Sequence, residues 1–329
     1  VGLAALGPPY GLTVQHHTAP ERRRLSSASQ RQYVSGMAQP ENWTIGRLLQ
    51  WTTDFLKTRG GDSPRLDAEV LLAQALGCQR IELYTAFEQS PSEQARAAFR
   101  ELVRRRAEGT PVAYLVGRRE FYSLSFQVTP DVLIPRPETE FLVIRLRDRA
   151  KPAEGPWKIA DVGTGSGILA VCAAKRLAQS QVTAIDLSAG ALAVARQNAQ
   201  AHGVSERIEF VAGDLFEALP PERRFDFVVS NPPYVTESEY ETLPRDVRDY
   251  EPRQALVAGP RGTEVIERLV AQAGDRLTPG GWLLTEISPQ LEVAVRAVFE
   301  ADDRFELAPT VKDLAGLARV VEARRRSRE

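Results

Sequence analysis

Two cysteines, three histidines and one methionine in 329 residues leave little material for metal, disulfide or imidazole chemistry. Cys78 and Cys172 stand far apart, with no C-x-x-C pair and no histidine companions, which argues against a disulfide framework and a zinc site. Both are expected to be small buried residues in a reducing compartment. His16 and His17 fall in the N-terminal tail and His202 at an expected helix end, so no Ser/His/Asp constellation is in view. Charge interrupts the apolar runs well short of the ~18 residues a spanning helix needs, so no membrane is expected. A formal net charge of -1 and a pI near 6.5 lack the basic excess by which proteins grip duplex DNA, although a local basic patch stays open. What remains is an ordinary globular balance, 43% hydrophobic and 26% charged, on a chain long enough for two domains.

Residues 1–40 carry Gly, Pro, Ser and the run Arg22-Arg23-Arg24 without apolar periodicity, and are expected to be disordered. The tail is basic like an organellar transit peptide but has no clear amphipathic helix. Met37, the only methionine, stands just before the first patterned stretch, so an upstream extension or overlong gene start is the favoured account. The expected location is the cytoplasm, with organellar import as the alternative.

Residues 41–109 read as a small helical bundle. Ile45, Leu48, Leu49, Phe55 and Leu56 keep helical spacing. Ser63-Pro64 opens a second helix with Ala68, Leu71, Leu72 and Ala75 on one face. Ser90-Pro91-Ser92-Glu93 has the form of a capping box, and the helix behind it runs through Arg104-Arg105-Arg106 to Gly109. That arginine run reads as a solvated helix face.

Residues 110–137 form a connector, in which Ala113–Gly117 and Glu120–Val128 alternate like two hairpin strands. Arg136 then sits between two prolines in a stiff extended segment, with a helix expected from Glu138 to Arg149. The stretch serves either as a plain interdomain link or as one wall of a cleft.

From 138 onward strand and helix alternate, which predicts an α/β fold: a Rossmann-like, seven-stranded, mostly parallel sheet with helices on both faces. Strands are expected near 158–162, 181–186, 207–212, 225–230, 282–287 and 317–322, with a weak one near 304–308. Helices are expected near 166–178, 189–202, 262–276 and 289–300.

Two places in this half carry chemistry. Ile159-Ala160-Asp161-Val162 runs into Gly163-Thr164-Gly165-Ser166-Gly167, a strand entering a glycine turn where open parallel sheets bind ligands. The spacing is G-x-G-x-G, with Ile168 where a dinucleotide site would have its third glycine. Asp186, closing the second strand, can accept from both hydroxyls of a ribose or cap the following helix. Gly213-Asp214-Leu215 closes the third strand and offers polar and apolar edges to an adenine ring, or a simple turn cap. Together these resemble the S-adenosylmethionine site of the class I methyltransferases.

The second place is Asn231-Pro232-Pro233-Tyr234, directly after the apolar strand Phe225–Ser230. Two prolines end a strand and fix the backbone that follows, delivering an amide and an aromatic ring to the sheet's carboxyl edge. An amide nitrogen is a poor nucleophile because its lone pair is delocalised. If the Asn231 side-chain oxygen and the Pro232 carbonyl both accept from a substrate NH2, they aim the nitrogen at a methyl sulfonium and stabilise its growing positive charge. Pro233 keeps that geometry and Tyr234 packs on a planar group. A turn with a surface tyrosine is the plain alternative. No general base is evident, and the alkylated nitrogen is acidic enough to lose its proton to water.

Over roughly residues 42–323 the chain resembles the release-factor glutamine N5-methyltransferases, the HemK/PrmC family. The resemblance rests on Gly109-Thr110-Pro111 with Tyr114 and Gly117, Glu120-Phe121, Leu133-Ile134-Pro135-Arg136-Pro137-Glu138-Thr139-Glu140, the glycine turn and Asn231–Tyr234. It continues through Tyr250-Glu251-Pro252, Glu286-Ile287 with Gln290, and Asp313-Leu314-Ala315-Gly316 with Arg319. It implies a helical substrate-recognition domain over 41–109, a hairpin connector over 110–137 and a methyltransferase domain over 138–329. It implies S-adenosylmethionine as cofactor, contacted by Gly163, Thr164, Gly165, Ser166, Gly167, Asp186, Leu215 and Asn231. The implied substrate is the glutamine of the Gly-Gly-Gln loop in peptide-chain release factors, held by Asn231, Pro232, Pro233 and Tyr234. Ser288 and the turn Gly259-Pro260-Arg261-Gly262 depart from the family pattern, which bears on loop shape near the sheet edge. The competing readings are a ribosomal-protein glutamine methyltransferase, an adenine-N6 methyltransferase, for which a basic target-recognition surface is lacking, and a nucleotide-binding protein without catalysis, which leaves Asn231 and Tyr234 unexplained. A monomer without stable nucleic-acid binding is expected.

Overall fold

The computed structural model describes residues 43–60, 62–151 and 155–327. The disorder expected over 1–40 and the reading of Met37 lie outside these residues.

Helix α1 (Ile45–Lys57) begins at Thr44, whose hydroxyl accepts from Arg47 N. Helix α2 (Pro64–Leu76) begins with its proline and closes on Gly77 at φ +66°. With α3 (Arg80–Thr85) and α4 (Glu93–Ala107) they bury Leu48, Leu49, Leu71, Leu72, Leu83, Phe99 and Val103 almost completely. Each such side chain contributes about 1.5–3 kcal/mol. The cap of α4 is Ser92, which accepts from Ala95 N, so the helix starts two residues beyond the cap expected at Ser90. The arginine run is not uniformly solvated either. Arg104 lies outside between Glu101 and Glu108, but Arg106 turns inward to Asp67 at 2.8 Å and ties α4 to α2.

Ala113–Gly117 is not a strand. Pro111 starts a short helix α5 (Val112–Val116), closed by Gly117 at φ +72°, and the Tyr114 hydroxyl donates to Val132 O at 2.6 Å. A five-residue apolar run carries too little periodicity to separate the two forms. Nor is Glu120–Val128 one strand, because it folds back on itself: β1 (Arg118–Phe121) pairs antiparallel with β2 (Leu124–Gln127) around Tyr122 and Ser123, both at positive φ. Buried Asn198 secures it. Its Oδ1 accepts from Gln127 N, while its Nδ2 donates to Gln127 O and Ser166 O. A 3₁₀ turn (Pro137–Thr139) then leads into α6 (Glu140–Ala150).

The remaining strands are β3 (Lys158–Val162), β4 (Gln181–Asp186), β5 (Ile208–Ala212), β6 (Phe225–Ser230), β7 (Val235–Thr236), β8 (Val257–Gly259), β9 (Leu277–Glu286), β10 (Phe305–Leu307), β11 (Val311–Lys312) and β12 (Ala318–Arg325). The main sheet has the order β10-β12-β9-β6-β3-β4-β5, and β11 pairs with β12. Strands β5, β4, β3, β6 and β9 run parallel, and β12 reverses. The expected seven strands are therefore present, with the two-residue β11 added at one edge. Helices α7 (Ile168–Arg176), α8 (Ala189–Ala201), α11 (Glu264–Arg276) and α12 (Glu292–Glu300) follow the expected alternation, while α9 (Glu237–Tyr240) and α10 (Arg245–Arg248) are short turns after β7. Successive strand residues point to opposite faces. Ile159, Val182, Phe227 and Leu284 meet α6 and α7; Ala160, Ile185, Val228 and Leu283 face the side of α11 and α12. Cys172 is buried in the first of these cores as expected, but Cys78 is only partly covered. Among the described residues no helix is long and apolar enough to cross a membrane.

The connector is locked by one carboxylate. Glu251, 5% exposed, accepts from Ile134 N at 3.0 Å and from Arg136 Nη2 at 2.6 Å, while the neighbouring Tyr250 hydroxyl donates to Glu108 O. Glu251→Ala strands the Arg136 guanidinium and the Ile134 amide together, and is expected to lower unfolding free energy by about 3 kcal/mol in urea titrations. A loss below about 0.5 kcal/mol, the scale of an ordinary surface change, contradicts that lock.

Candidate active site

Strand β3 leaves the sheet at Gly163. Gly163, Gly165 and Gly167 all have positive φ, and the amides of Gly163 and Thr164 both donate to Ile185 O at 2.9 Å, holding the turn against β4. At Gly167 a Cβ would stand 3.0 Å from Ala195 Cβ, so the close approach of α8 requires glycine as much as the φ of +81° does. At Gly165 a Cβ would meet nothing within 4 Å: the turn opens on free space there.

Two carboxylates frame this turn. Asp161, fully buried, accepts through Oδ2 from Thr164 Oγ1 at 2.6 Å and from Ala170 N at 2.9 Å, while its Oδ1 has no partner. Burial pushes its carboxyl up to about 7. Asp186 accepts from Gly165 N at 2.8 Å through Oδ2 and from Ser188 N at 2.9 Å through Oδ1, and burial raises its pKa. It does not cap α8; that is done by Ser188, whose hydroxyl accepts from Ala191 N. The Leu187 amide also favours the ionised form of Asp186, and with at most three donors the carboxylate keeps acceptor capacity. Leu187, next in the chain, is 66% exposed. Leu215 is packed in the core at 8% exposure with φ +51°, and neighbouring Asp214 pairs with Arg268 at 2.7 Å.

The second half of the site leaves from the adjacent strand. Ser230 Oγ donates to Val162 O at 2.7 Å, and the next residues out of each strand, Asn231 and Gly163, meet so that a Cβ on Gly163 would lie 4.0 Å from Asn231 O. Asn231 Nδ2 donates to Thr139 Oγ1 at 3.1 Å, and the Thr139 hydroxyl in turn favours the ionised form of the Glu286 carboxyl against the effect of burial. Pro232 is buried; Pro233 and Tyr234 are half-buried. Burial, then the nearby Glu286, raises the Tyr234 hydroxyl pKa. The turn that departs from the family pattern touches this segment: a Cβ on Gly262 would stand 2.7 Å from Tyr234 O.

The glycine turn, Asp186 and Asn231–Tyr234 thus gather at the carboxyl edge of β3, β4 and β6, whereas Leu215 lies mostly beneath the surface. Sequence reasoning gave no role to Asp161, Thr139 or Glu286, although all three stood inside quoted motifs. A carboxylate flanked by apolar strand residues, as in Ile159-Ala160-Asp161-Val162 and Leu284-Thr285-Glu286-Ile287, was the available signal.

The profile of the PrmC N-terminal domain matches residues 47–117, and that of the methyltransferase small domain matches 137–245. A release factor glutamine methyltransferase of Rhodopirellula baltica is 50% identical over 296 residues, covering 87% of this chain and 98% of the relative. One from Geobacter sulfurreducens is 41% identical, covering 87% and 98%. The chain belongs to the release factor glutamine methyltransferase family. Among solved structures, the hMettl16 catalytic domain in complex with MAT2A 3′UTR hairpin 6 superposes with a TM-score of 0.52 at 15% identity, over 70% of this chain and 83% of that one, a likeness of fold alone.

A methyltransferase of this family uses S-adenosylmethionine, and the residues present fit it. The glycine turn is open, Asp186 keeps acceptor capacity, and the unpartnered Asp161 Oδ1 suits a ligand that brings an ammonium group. A buried carboxyl with a raised pKa favours the fold when neutral; that contribution is complete below the ordinary carboxylate range and is lost as pH rises through about 7. Asp161→Asn is therefore expected to raise the melting temperature of the ligand-free protein at pH 7.5, with the gap narrowing towards pH 5, while weakening cofactor binding at least tenfold by calorimetry. Unchanged cofactor affinity contradicts this placement of Asp161.

Proposed function

We propose that this chain transfers the methyl group of S-adenosylmethionine to the side-chain amide nitrogen, N5, of the glutamine in the Gly-Gly-Gln loop of peptide-chain release factors. The observation that carries the reading is Asn231: it adjoins the glycine turn, and its Nδ2 is bonded inward to Thr139, which leaves Oδ1 as the outward acceptor. The substrate relation is supported by relatives named for that reaction, at 50% and 41% identity over most of their length.

In this reading Asn231 Oδ1 and Pro232 O accept the two hydrogens of the glutamine NH2, directing the nitrogen lone pair along the line of attack. As the new C–N bond forms the nitrogen becomes positive, and both acceptors stabilise it more strongly than they stabilise the neutral amide. Pro233 limits backbone motion, and Tyr234 lies against the planar amide. The nitrogen then loses a proton to solvent. When bound, the cofactor would supply an electrophilic methyl group on a sulfonium, the methyl–sulfur bond breaking as the C–N bond forms and the sulfur leaving as a neutral thioether. The residues assigned to hold it are Gly163, Thr164, Gly165, Ser166, Gly167, Asp186 and Leu215, while Asn231 borders the methyl group and is assigned to the substrate amide. The helices of 41–109 are assigned to recognition of the substrate protein, and the monomer is taken as the working unit in the cytoplasm.

With methyl-tritiated cofactor, label is expected to enter a release factor and to be lost when the glutamine of its Gly-Gly-Gln loop is changed to alanine. Label in that variant, in a ribosomal protein or in DNA instead, sinks the substrate assignment. Asn231→Ala is expected to cut kcat at least a hundredfold, on the scale of one lost oxyanion-type contact, with cofactor affinity within about threefold of the parent. A parallel loss of cofactor affinity in calorimetry contradicts this division of the site.

A further inference from the structure

An asparagine side chain has two faces of similar shape and opposite chemistry, and only one of them can hold an NH2 group. Turned one way Asn231 offers an oxygen; turned the other way it offers two hydrogens that repel the substrate nitrogen. Something must fix the choice. Asn231 Nδ2 donates to Thr139 Oγ1 at 3.1 Å, and the wholly buried Thr139 hydroxyl favours the ionised form of the Glu286 carboxyl, itself 2% exposed. Glu286 lies level with Asn231 because β6 and β9 run in parallel register with Ser230 beside Thr285.

A hydroxyl has one hydrogen to give. An ionised carboxylate only accepts, so when Thr139 turns its hydrogen toward Glu286 its oxygen is left to accept from Asn231 Nδ2. We propose that Glu286 and Thr139 are positioning residues that set the polarity of the Asn231 amide, so that Oδ1 rather than the NH2 group meets the nitrogen to be methylated. The inference rests on Asn231 being the acceptor for that nitrogen. If Glu286 takes a proton it can donate to Thr139, the hydroxyl is free to donate to Asn231, and the amide can turn over. Glu286 has an oxygen, Oε2, without a partner on which that proton can sit, and burial pushes its pKa up to about 7. The groups that face it are Glu138 from the 3₁₀ turn, Arg136 from the connector, Arg319 from β12 and Tyr234 after β6. Arg319 is held by Asp313 at 2.8 Å and lies 3.7 Å from Glu138, so it is shared among acids rather than committed to Glu286.

The test is steady-state methylation of a release factor across pH 6–8 with Thr139→Val, Thr139→Ser and Glu286→Gln, each checked for cofactor affinity. Thr139→Val keeps the shape and removes the hydroxyl; kcat is expected to fall about tenfold to a hundredfold with cofactor Kd unchanged. Thr139→Ser restores the hydroxyl and is expected to recover kcat to within about threefold of the parent. The parent should lose kcat as pH falls through neutrality, and Glu286→Gln should flatten that limb. Parental kcat in Thr139→Val, or Thr139→Ser as slow as Thr139→Val, overturns the proposal, the second by reducing Thr139 to a packing role. If Thr139→Val fails to fold, Glu286→Gln decides: an acidic limb that survives overturns the proposal. Asn231→Ala separates the two levels, because an active Asn231→Ala removes the underlying reading, whereas an inactive Asn231→Ala beside a fully active Thr139→Val removes only the relay.

Discussion

The parallel register of β3 against β6 pairs Val162 with Ser230, and the rest of the site depends on it. Because the two strands end at the same level, the glycine turn and the Asn-Pro-Pro-Tyr segment leave the sheet side by side. The buried bond from Ser230 Oγ to Val162 O fastens the ends where both chains must diverge. A slip of one residue would exchange the two cores into which β6 packs, Phe227 and Val229 on one side and Val228 on the other. The next strand extends the same logic. With Ser230 beside Thr285, Glu286 arrives next to Asn231, and the pairing of Glu286 with Val320 brings Arg319 within reach of Glu138.

These arrangements carry a cost in buried charge. Asp161 and Glu286 are each enclosed, each has an oxygen without a partner, and burial pushes each up to about 7. A fold selected for stability alone would place apolar side chains there. Strained carboxyls of this kind concentrate where a ligand or a reaction uses them, and here one lies under the glycine turn and the other behind Asn231. Glu251 is different in kind: both of its oxygens are bonded, and it fastens the stiff Pro-Arg-Pro segment in place.

Much of the architecture was legible because each signal was local. Five parallel strands announced themselves as short apolar runs, and the glycine turn and the double proline marked the ends of two of them. The errors also have local causes. Ala113–Gly117 is apolar without a period, and only the tertiary bond from Tyr114 to Val132 shows why it coils. Ser90 and Ser92 are equally good caps on paper, and the structure uses the second. What could not be read were the relations between distant residues. Thr139 and Asn231 are 92 positions apart, and nothing in either neighbourhood indicates that one orients the other.

The turn at 259–262 shows how a departure from a family pattern can be absorbed beside an active site. Gly259 at φ +145° and Gly262 at φ +80° hold the two positions where the backbone demands glycine, and Gly262 lies directly under Tyr234 O. Between them stand Pro260 and Arg261. The first turn of α11 supplies a carboxylate to this turn: Glu264 Oε1 accepts from Arg261 N at 2.8 Å. Arg261 reaches on to Glu267 at 2.8 Å, so the turn is tied to the helix it precedes. The support beneath Tyr234 therefore combines a glycine, where the close approach of Tyr234 O leaves no room for a side chain, with a turn fastened to α11 through Arg261.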